Sequence, residues 1–175
     1  HAAGTFCWIE LATSESEAAK RFYAELFGWE HRDDPMGPDF VYTTLLQVGK
    51  AVGALYRLQP EQASQGVPPN WGSYVRVADL DATAAKVAAL GGQLLAPPLD
   101  VISHGRMAGF QDPPGAVLSL WQPKLHHGAQ VKDEPISLCW AELMTRDTAR
   151  ARDFYGSLFA WGAKKSDLGS MEYTE

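Results

Sequence analysis

The sequence predicts an α+β fold built from tandem βαβββ modules. Residues 6–30 match residues 138–162 without a gap, and the identical pairs include Trp8 with Trp140 and Glu10 with Glu142. An internal repeat of this kind indicates duplicated structural units. Each copy begins with the alternating pattern of a strand and continues with the spacing of an amphipathic helix, and further strand patterns follow.

The first module covers residues 5–58 and opens with a strand over residues 6–12. Thr13 or Ser14 is expected to cap the following helix, with Glu17 as the return partner of a capping box, and Gly28 is expected to end it. The helical spacing predicts one apolar stripe composed of Ala18, Phe22, Leu26, Ala19 and Tyr23. Strands are predicted over residues 30–33, 41–48 and 51–58.

The same order of elements returns in a second module over residues 72–122. A strand over residues 73–77 precedes a helix that Asp79 or Asp81 caps and that runs to Leu90. Strands follow over residues 93–96, 106–111 and 117–122. We therefore predict one complete domain over residues 1–123, a linker over 124–135, and the start of a second, incomplete domain over 136–175.

Composition narrows the classes of function. The formal net charge of −6 argues against a nucleic-acid partner, which requires a basic surface, and no apolar run approaches the length of a membrane span. The acidic balance mildly favours a cationic ligand, although solubility alone also explains it. Cys7 and Cys139 hold equivalent repeat positions and are interpreted as buried thiols of a reducing compartment, which predicts a cytoplasmic protein.

Three motifs resemble the vicinal-oxygen-chelate superfamily of glyoxalases, bleomycin-resistance proteins and dioxygenases. They are F-Y-x-x-L-F-G-W at residues 22–29, Gly91-Gly92 after the second helix, and G-R-x-x-x-F-x-D-P-x-G-x-x-x-x-L-W-Q at residues 105–122. The resemblance implies a glyoxalase/bleomycin-resistance/dioxygenase-type fold with curved mixed sheets. Within the superfamily, the chain is most similar to the actinobacterial tandem-domain group typified by the 27-kDa mycobacterial antigen.

Metal-dependent members of this superfamily hold a divalent ion among imidazole and carboxylate ligands from four strands. The resemblance places those ligand positions at Trp8, Ala54, Gly72 and Ser119. None of these side chains is a reasonable ligand for a divalent ion. We therefore expect no metal and no other cofactor, with a divalent metal bound elsewhere as the alternative.

The strand alternation also sorts side chains between the cavity that this fold encloses and the helices behind its sheet. The residues assigned to the cavity are Phe6, Trp8, Glu10, Tyr74, Arg76, Ser119 and Trp121. The helix-facing set is wholly apolar and consists of Cys7, Ile9, Leu11, Val75, Val77, Leu118 and Leu120. Glu10 and Arg76 are then either a functional pair, with Glu10 as acid/base or cation anchor, or a structural ion pair across the sheet.

These expectations favour a glyoxalase/bleomycin-resistance-like protein that binds a small molecule in a metal-free, aromatic-lined cavity. The alternative is an enzyme of the same superfamily, a glyoxalase-like lyase or a tailoring dioxygenase or hydroxylase, that uses Glu10 as acid/base or a metal site elsewhere. A third interpretation is an interaction or regulatory protein whose cavity is vestigial. Because modules pair in this fold, we expect a homodimer or a module-exchanged assembly.

Overall fold

The computed structural model describes residues 1–167 and 172–174. The elements that these residues form are, in chain order, β1 (Phe6–Thr13), α1 (Ser16–Phe27), β2 (Glu30–Pro35), β3 (Val41–Gln47), β4 (Lys50–Arg57), α2 (Pro60–Ser64), β5 (Asn70–Arg76), α3 (Leu80–Ala89), β6 (Gln93–Val101), β7 (Gly105–Gln111), β8 (Val117–Pro123), α4 (Thr148–Phe159), β9 (Lys165–Asp167) and β10 (Glu172–Thr174). Of the predicted second, incomplete domain over residues 136–175, residues 168–171 and 175 lie outside the described residues.

The chain divides into two compact units. The first unit contains Cys7–Tyr74 and His127–Ala141, and the second contains His1–Phe6, Val75–His126 and Glu142–Glu175. Both the βαβββ order of the first two modules and the α+β class are confirmed. The predicted domain and linker boundaries stay predictions.

In the first unit the strands follow the order β2-β3-β4-β1-β5. β1 runs parallel to β4, whereas β2, β3 and β4 pair in antiparallel fashion, so the sheet is mixed. The apolar face of this sheet forms a core in which Leu11, Leu45 and Leu55 pack with Trp29 beneath α1. Of the predicted helix-facing residues of β1, Cys7 and Leu11 are buried and Ile9 is half-buried.

The predicted capping box of α1 is wrong. Glu15 occupies the N-cap position and makes no side-chain capping bond, while the Thr13 hydroxyl oxygen accepts a hydrogen bond from the Glu15 backbone N–H. Glu17 instead accepts a hydrogen bond from the buried Lys20 ammonium, and this pairing draws its carboxylate away from the helix start. Gly28 ends α1 in the left-handed conformation with φ of 69°, as predicted.

The predicted apolar stripe of α1 is only partly right. Phe22 and Leu26 are 56% and 55% exposed, whereas Ala19, Tyr23 and Phe27 pack on the core. Phe22 with Leu26 and Tyr23 with Phe27 are both spaced by one helical turn, so either pair fits a helical period. The helix turns Tyr23 and Phe27 inward, where both rings meet the indole of Trp29.

In the second unit β8, β7 and β6 form an antiparallel sheet in that order. Asp79 caps α3 by accepting a hydrogen bond from the Ala82 backbone N–H, as predicted. The strand predicted over residues 93–96 extends as β6 through two prolines to Val101. Proline is tolerated there because β6 has a neighbour on one side only.

The core of the second unit contains side chains from α3, the sheet and α4. Leu80, Phe110 and Leu120 are fully buried, and Phe154 and Leu158 of α4 complete the same cluster. Gly105 packs so closely on Trp121 that an added Cβ would lie 2.5 Å from the indole ring.

The second copy of the repeat, residues 138–162, forms its helix, α4, but not its strand. No strand is assigned to residues 136–147 in the described chain, and Trp140 is 62% exposed. Cys139 is exposed as well, so its predicted burial is wrong. A strand needs a neighbouring strand to satisfy its backbone groups, and this segment pairs with none of the described strands.

Two tryptophans at equivalent positions of the repeat make equivalent hydrogen bonds. The Trp29 indole N–H donates to the Ile136 carbonyl at 3.0 Å, within the first unit. The Trp161 indole N–H donates to the Gly4 carbonyl at 2.6 Å, within the second unit. Gly4 and Ile136 are themselves equivalent in the repeat, so each tryptophan holds the segment that precedes the other copy.

No helix among the described residues is long and apolar enough to span a membrane.

Candidate functional site

A carboxylate inside the first unit is surrounded by hydrogen-bond donors. The Tyr42 hydroxyl donates to Glu10 Oε1 at 2.5 Å, and the Tyr74 hydroxyl donates to Oε2 at 2.6 Å. The indole N–H of Trp8 lies 3.1 Å from Oε1 and 3.0 Å from the Tyr42 oxygen. Both carboxylate oxygens are therefore held by side chains from three strands, β1, β3 and β5. We call these four residues the Glu10 cluster.

Burial governs the protonation of the Glu10 cluster. It raises the pKa of Glu10, while the hydrogen bonds from Tyr42, Tyr74 and Trp8 lower that pKa in part. Burial, followed by the nearby Glu10 charge, raises the pKa values of Tyr42 and Tyr74 well above their ordinary values. Both phenols therefore stay protonated and act as donors, and Glu10 is the acidic group of the cluster, with its pKa raised above the ordinary value.

Small residues on the neighbouring strands make this arrangement possible. Ala54 on β4 lies in register with both Glu10 on β1 and Thr44 on β3. A small side chain between the two strands leaves room for Tyr42 to reach from β3 to Glu10. On the other side, a Cβ added to Gly72 would meet only the Glu10 backbone oxygen, at 3.8 Å.

A further ring belongs to the same face of the sheet. Tyr56 on β4 is in register with Tyr42, and the Glu10 charge contributes to the rise in its pKa, after burial. Phe40 contacts Tyr56 edge-on, with ring centroids 6.0 Å apart. Aromatic rings therefore surround Glu10 on this face of the first unit.

The structure brings together three of the predicted site residues, Trp8, Glu10 and Tyr74, and adds Tyr42, which sequence reasoning missed. The period of the strand β3 could have indicated it, because Tyr42 lies on the face opposite to Thr43 and Leu45. The alternation does not indicate the strand order, and it is the strand order that places β3 within reach of Glu10.

The remaining predicted site residues belong to the second unit. The backbone N–H of Arg76 donates to the Thr5 carbonyl, and its side chain is half-buried. Ser119 is half-buried on β8, and the buried Trp121 donates its indole N–H to the His126 carbonyl at 2.8 Å. The pairing of Glu10 with Arg76 stays a prediction, as do the ligand-binding roles of Arg76, Ser119 and Trp121.

Two residues related to the predicted site are found elsewhere. Phe6, assigned to the cavity by alternation, contacts Trp161 with ring centroids 5.6 Å apart. Glu142, the repeat equivalent of Glu10, is exposed. The repeat therefore does not form a second copy of the Glu10 cluster.

The side chains at the superfamily's ligand positions do not suit a divalent metal. Ala54 and Gly72 offer no side-chain donor atom, and the Trp8 indole is a hydrogen-bond donor that is directed to Glu10 and Tyr42. Across the described part of the chain, no group of three or more His, Cys, Asp or Glu residues is arranged to hold a metal ion. We derive no chemistry through a metal at these four positions.

The second unit also has an open surface cleft of about 700 Å³, lined by residues 113–116, 144–147 and 150. None of the predicted site residues lines this cleft. Its basic side chains, Arg146 and Arg150, are exposed.

The order of elements defines a class of α+β protein built from βαβββ modules. The family described as the Glyoxalase/Bleomycin resistance protein/Dioxygenase superfamily matches residues 5–120. The chain belongs to this superfamily, which confirms the resemblance found in its motifs.

Individual relatives are similar over most of this chain. A protein of Mycobacterium bovis named "Putative glyoxylase CFP32" is 41% identical over 153 residues, which cover 87% of this chain and 58% of the relative. The "Anthracycline biosynthesis protein DnrV" of Streptomyces peucetius is 34% identical over 186 residues, with 99% of this chain and 66% of the relative covered. The chain thus spans less than two thirds of the length of these relatives.

Solved structures support the fold. The Mn(II)-bound glyoxalase from Novosphingobium aromaticivorans matches with a TM-score of 0.66 at 17% identity, over 94% of this chain and 54% of that one. A mutant of 4-hydroxymandelate synthase from Streptomyces coelicolor matches with a TM-score of 0.60 at 13% identity, over 97% of this chain and 57% of that one. At these identities the similarity concerns the fold alone.

Proposed function

We propose that the protein binds a small organic molecule, without a metal ion, in an aromatic-lined cavity beside the Glu10 cluster. The observation that supports this proposal most is the half-buried Glu10 carboxylate, held by Trp8, Tyr42 and Tyr74. Withdrawing a carboxylate even partly from water costs free energy, so its presence at this position favours a functional role. Polar groups that converge within an aromatic setting are typical of ligand sites.

Ligand binding can be tested by calorimetric titration of the protein with a panel of neutral and charged aromatic compounds. We expect saturable one-to-one binding that weakens at least tenfold, or about 1.4 kcal/mol, in Tyr42→Phe. The matched control is Tyr173→Phe, which changes a tyrosine of β10 in the second unit and should leave binding unchanged. Absence of saturable binding across the panel would refute the proposal.

A second candidate is an enzyme of the superfamily, a glyoxalase-like lyase or a tailoring dioxygenase or hydroxylase, with Glu10 as acid/base. The raised pKa of Glu10 and its short contacts with two phenols favour this role, because a general base works best with a pKa near the operating pH. The names of the relatives, a glyoxylase and a biosynthesis protein, also support it. Alternatively, such an enzyme would use a metal site elsewhere in place of Glu10.

The enzymatic candidate predicts turnover that depends on the Glu10 proton. Glu10→Gln keeps the size and hydrogen-bonding capacity of the side chain but cannot transfer a proton, so kcat should fall by about 10²–10⁴-fold. Circular dichroism must show an unchanged fold. An unchanged kcat in this variant would rule out the acid/base role.

The proposal extends to location and assembly. We propose a cytoplasmic protein, supported by the low cysteine content of two residues in the chain, and a homodimer or module-exchanged assembly. The exposed Phe22 and Leu26 of α1 support association, since solvent-exposed apolar residues that lie together often mark interfaces. Light scattering should show a dimer that Leu26→Ser weakens, and a monomer at all concentrations would refute the assembly.

A further inference from the structure

We propose that the ligand of this site is an organic cation, a protonated amine whose charge lies against the Glu10 carboxylate. This inference rests on the binding function proposed above and names the chemical class of the ligand. Three features of the Glu10 cluster point to this class: the balance of charge, the number of free acceptor positions and the surrounding rings.

The first feature is a half-buried carboxyl group whose hydrogen-bond partners are all neutral. Trp8, Tyr42 and Tyr74 all donate to Glu10, and none of them bears a positive charge. Within the described part of the first unit, no basic side chain forms an ion pair with Glu10, and the buried Lys20 is already paired with Glu17 and Asp33. Neutral donors solvate a carboxylate but do not cancel its charge, so a ligand cation would stabilise the ionised form of Glu10.

The second feature is the count of acceptor positions. A carboxylate has about four lone-pair sites. Oε1 of Glu10 accepts from Trp8 and from Tyr42, and Oε2 accepts from Tyr74 alone. One position on Oε2 therefore remains for a donor. An ammonium group, which has donors and no acceptor, matches this position, whereas a ligand carboxylate or phosphate would repel Glu10.

The third feature is the aromatic surroundings. The rings of Trp8, Tyr42 and Tyr74 contact the carboxylate through their polar ends, and Tyr56 lies on the same face. Tryptophan and tyrosine rings attract cations at their faces, and this attraction strengthens when water is excluded. At Gly72 the neighbouring strand has no side chain to fill the space beside Glu10. The neutral partners of Glu10, its remaining acceptor position and the surrounding rings thus all favour a ligand with an ammonium group.

The test compares two probes of nearly equal size, phenethylammonium and the neutral 2-phenylethanol, by calorimetry on the full chain. We expect the wild-type protein to bind the amine at least tenfold more tightly than the alcohol. Glu10→Gln should bring the two affinities to within about twofold by weakening the amine and sparing the alcohol. Glu142→Gln, which changes the exposed repeat equivalent, should keep the wild-type preference.

Tyr74→Phe removes one neutral donor and leaves the carboxylate, so this variant should retain the preference for the amine. It is the control for a general disturbance of the Glu10 cluster. Saturable binding of the alcohol without a preference for the amine, or a preference that survives Glu10→Gln, would overturn the cation and leave the proposed binding function intact. Binding of neither probe, nor of any neutral compound in the panel, would overturn both. If Glu10→Gln does not fold, the ratio of the two wild-type affinities still decides the question.

Discussion

The two copies of the repeat place an equivalent phenylalanine in opposite environments. This difference predicts how much the free energy of unfolding falls when each phenylalanine is replaced. Phe154 on α4 is 3% exposed, and its ring centroid lies 6.0 Å from that of Phe110 in the core. Phe22, its equivalent on α1, is 56% exposed. Replacing each of them by alanine therefore makes one chemical change at a buried site and the same change at an exposed one.

The expected magnitudes follow from burial. Phe154→Ala leaves a cavity between α4 and the sheet, and an added Cβ on Gly92 would lie only 3.1 Å from the Phe154 ring, which shows how close the packing is. Deleting a buried phenylalanine ring costs about 3–5 kcal/mol. Phe22→Ala loses little more than an edge contact with Tyr23, worth about 1 kcal/mol.

Urea unfolding followed by far-ultraviolet circular dichroism measures both free energies. With a slope of about 1–3 kcal/mol per molar urea, a difference of at least 2 kcal/mol separates the two unfolding midpoints clearly. Equal losses in the two variants would refute the packing of α4 on the core of the second unit. A larger loss for Phe22→Ala would mean that the exposed stripe of α1 is buried in solution.

Three further predictions concern single groups. Because burial raises the pKa of Glu10, the folded state holds the Glu10 proton to a higher pH than the unfolded chain does. The free energy of unfolding of the wild type, relative to that of Glu10→Gln, should therefore fall as the pH rises from about 4.5 through the folded pKa. An increase of this relative stability with pH would contradict the prediction. Trp29→Phe and Trp161→Phe each remove one hydrogen bond, and each should lower the free energy of unfolding, measured by thermal unfolding, by about 1 kcal/mol. A loss of stability in only one of the two variants would show that the two hydrogen bonds are not equivalent. Gly105→Ala forces a Cβ into the neighbouring indole and should cost about 1–3 kcal/mol, while Gly37→Ala, whose Cβ meets nothing within 4 Å, should be neutral or slightly stabilising in the same denaturation assay.

The Glu10 cluster shows how far sequence reasoning reaches in a site. The alternation of β1 correctly places Trp8 and Glu10 on one face, because the period of a strand is a local property. Tyr42 is 32 residues away in sequence, and it reaches Glu10 only because β4 lies between β3 and β1 and has Ala54 at the crossing point. Strand order arises from pairing between distant segments, which a local pattern does not encode.

Helix α1 illustrates the same limit in packing. The spacing of apolar residues indicates a helix that ends at Gly28, and the structure agrees. The choice between the stripe of Phe22 and Leu26 and that of Tyr23 and Phe27 depends on which set of side chains has partners on the sheet. Hydrophobicity alone favours neither set, and contact with Trp29 selects the second.

The sequence by itself determined the repeat, the order of elements in two βαβββ modules, the superfamily and the alternating faces of β1, because periodicity and turn residues act over a few neighbouring positions. The tertiary structure decided which side chains surround Glu10, why Phe154 is buried while Phe22 is exposed, and why the segment around Trp140 forms no strand although its equivalent Trp8 lies in β1. The physical reason is the same in each case. Burial and strand formation depend on a partner surface from a distant part of the chain, so two similar segments with different partners adopt different structures.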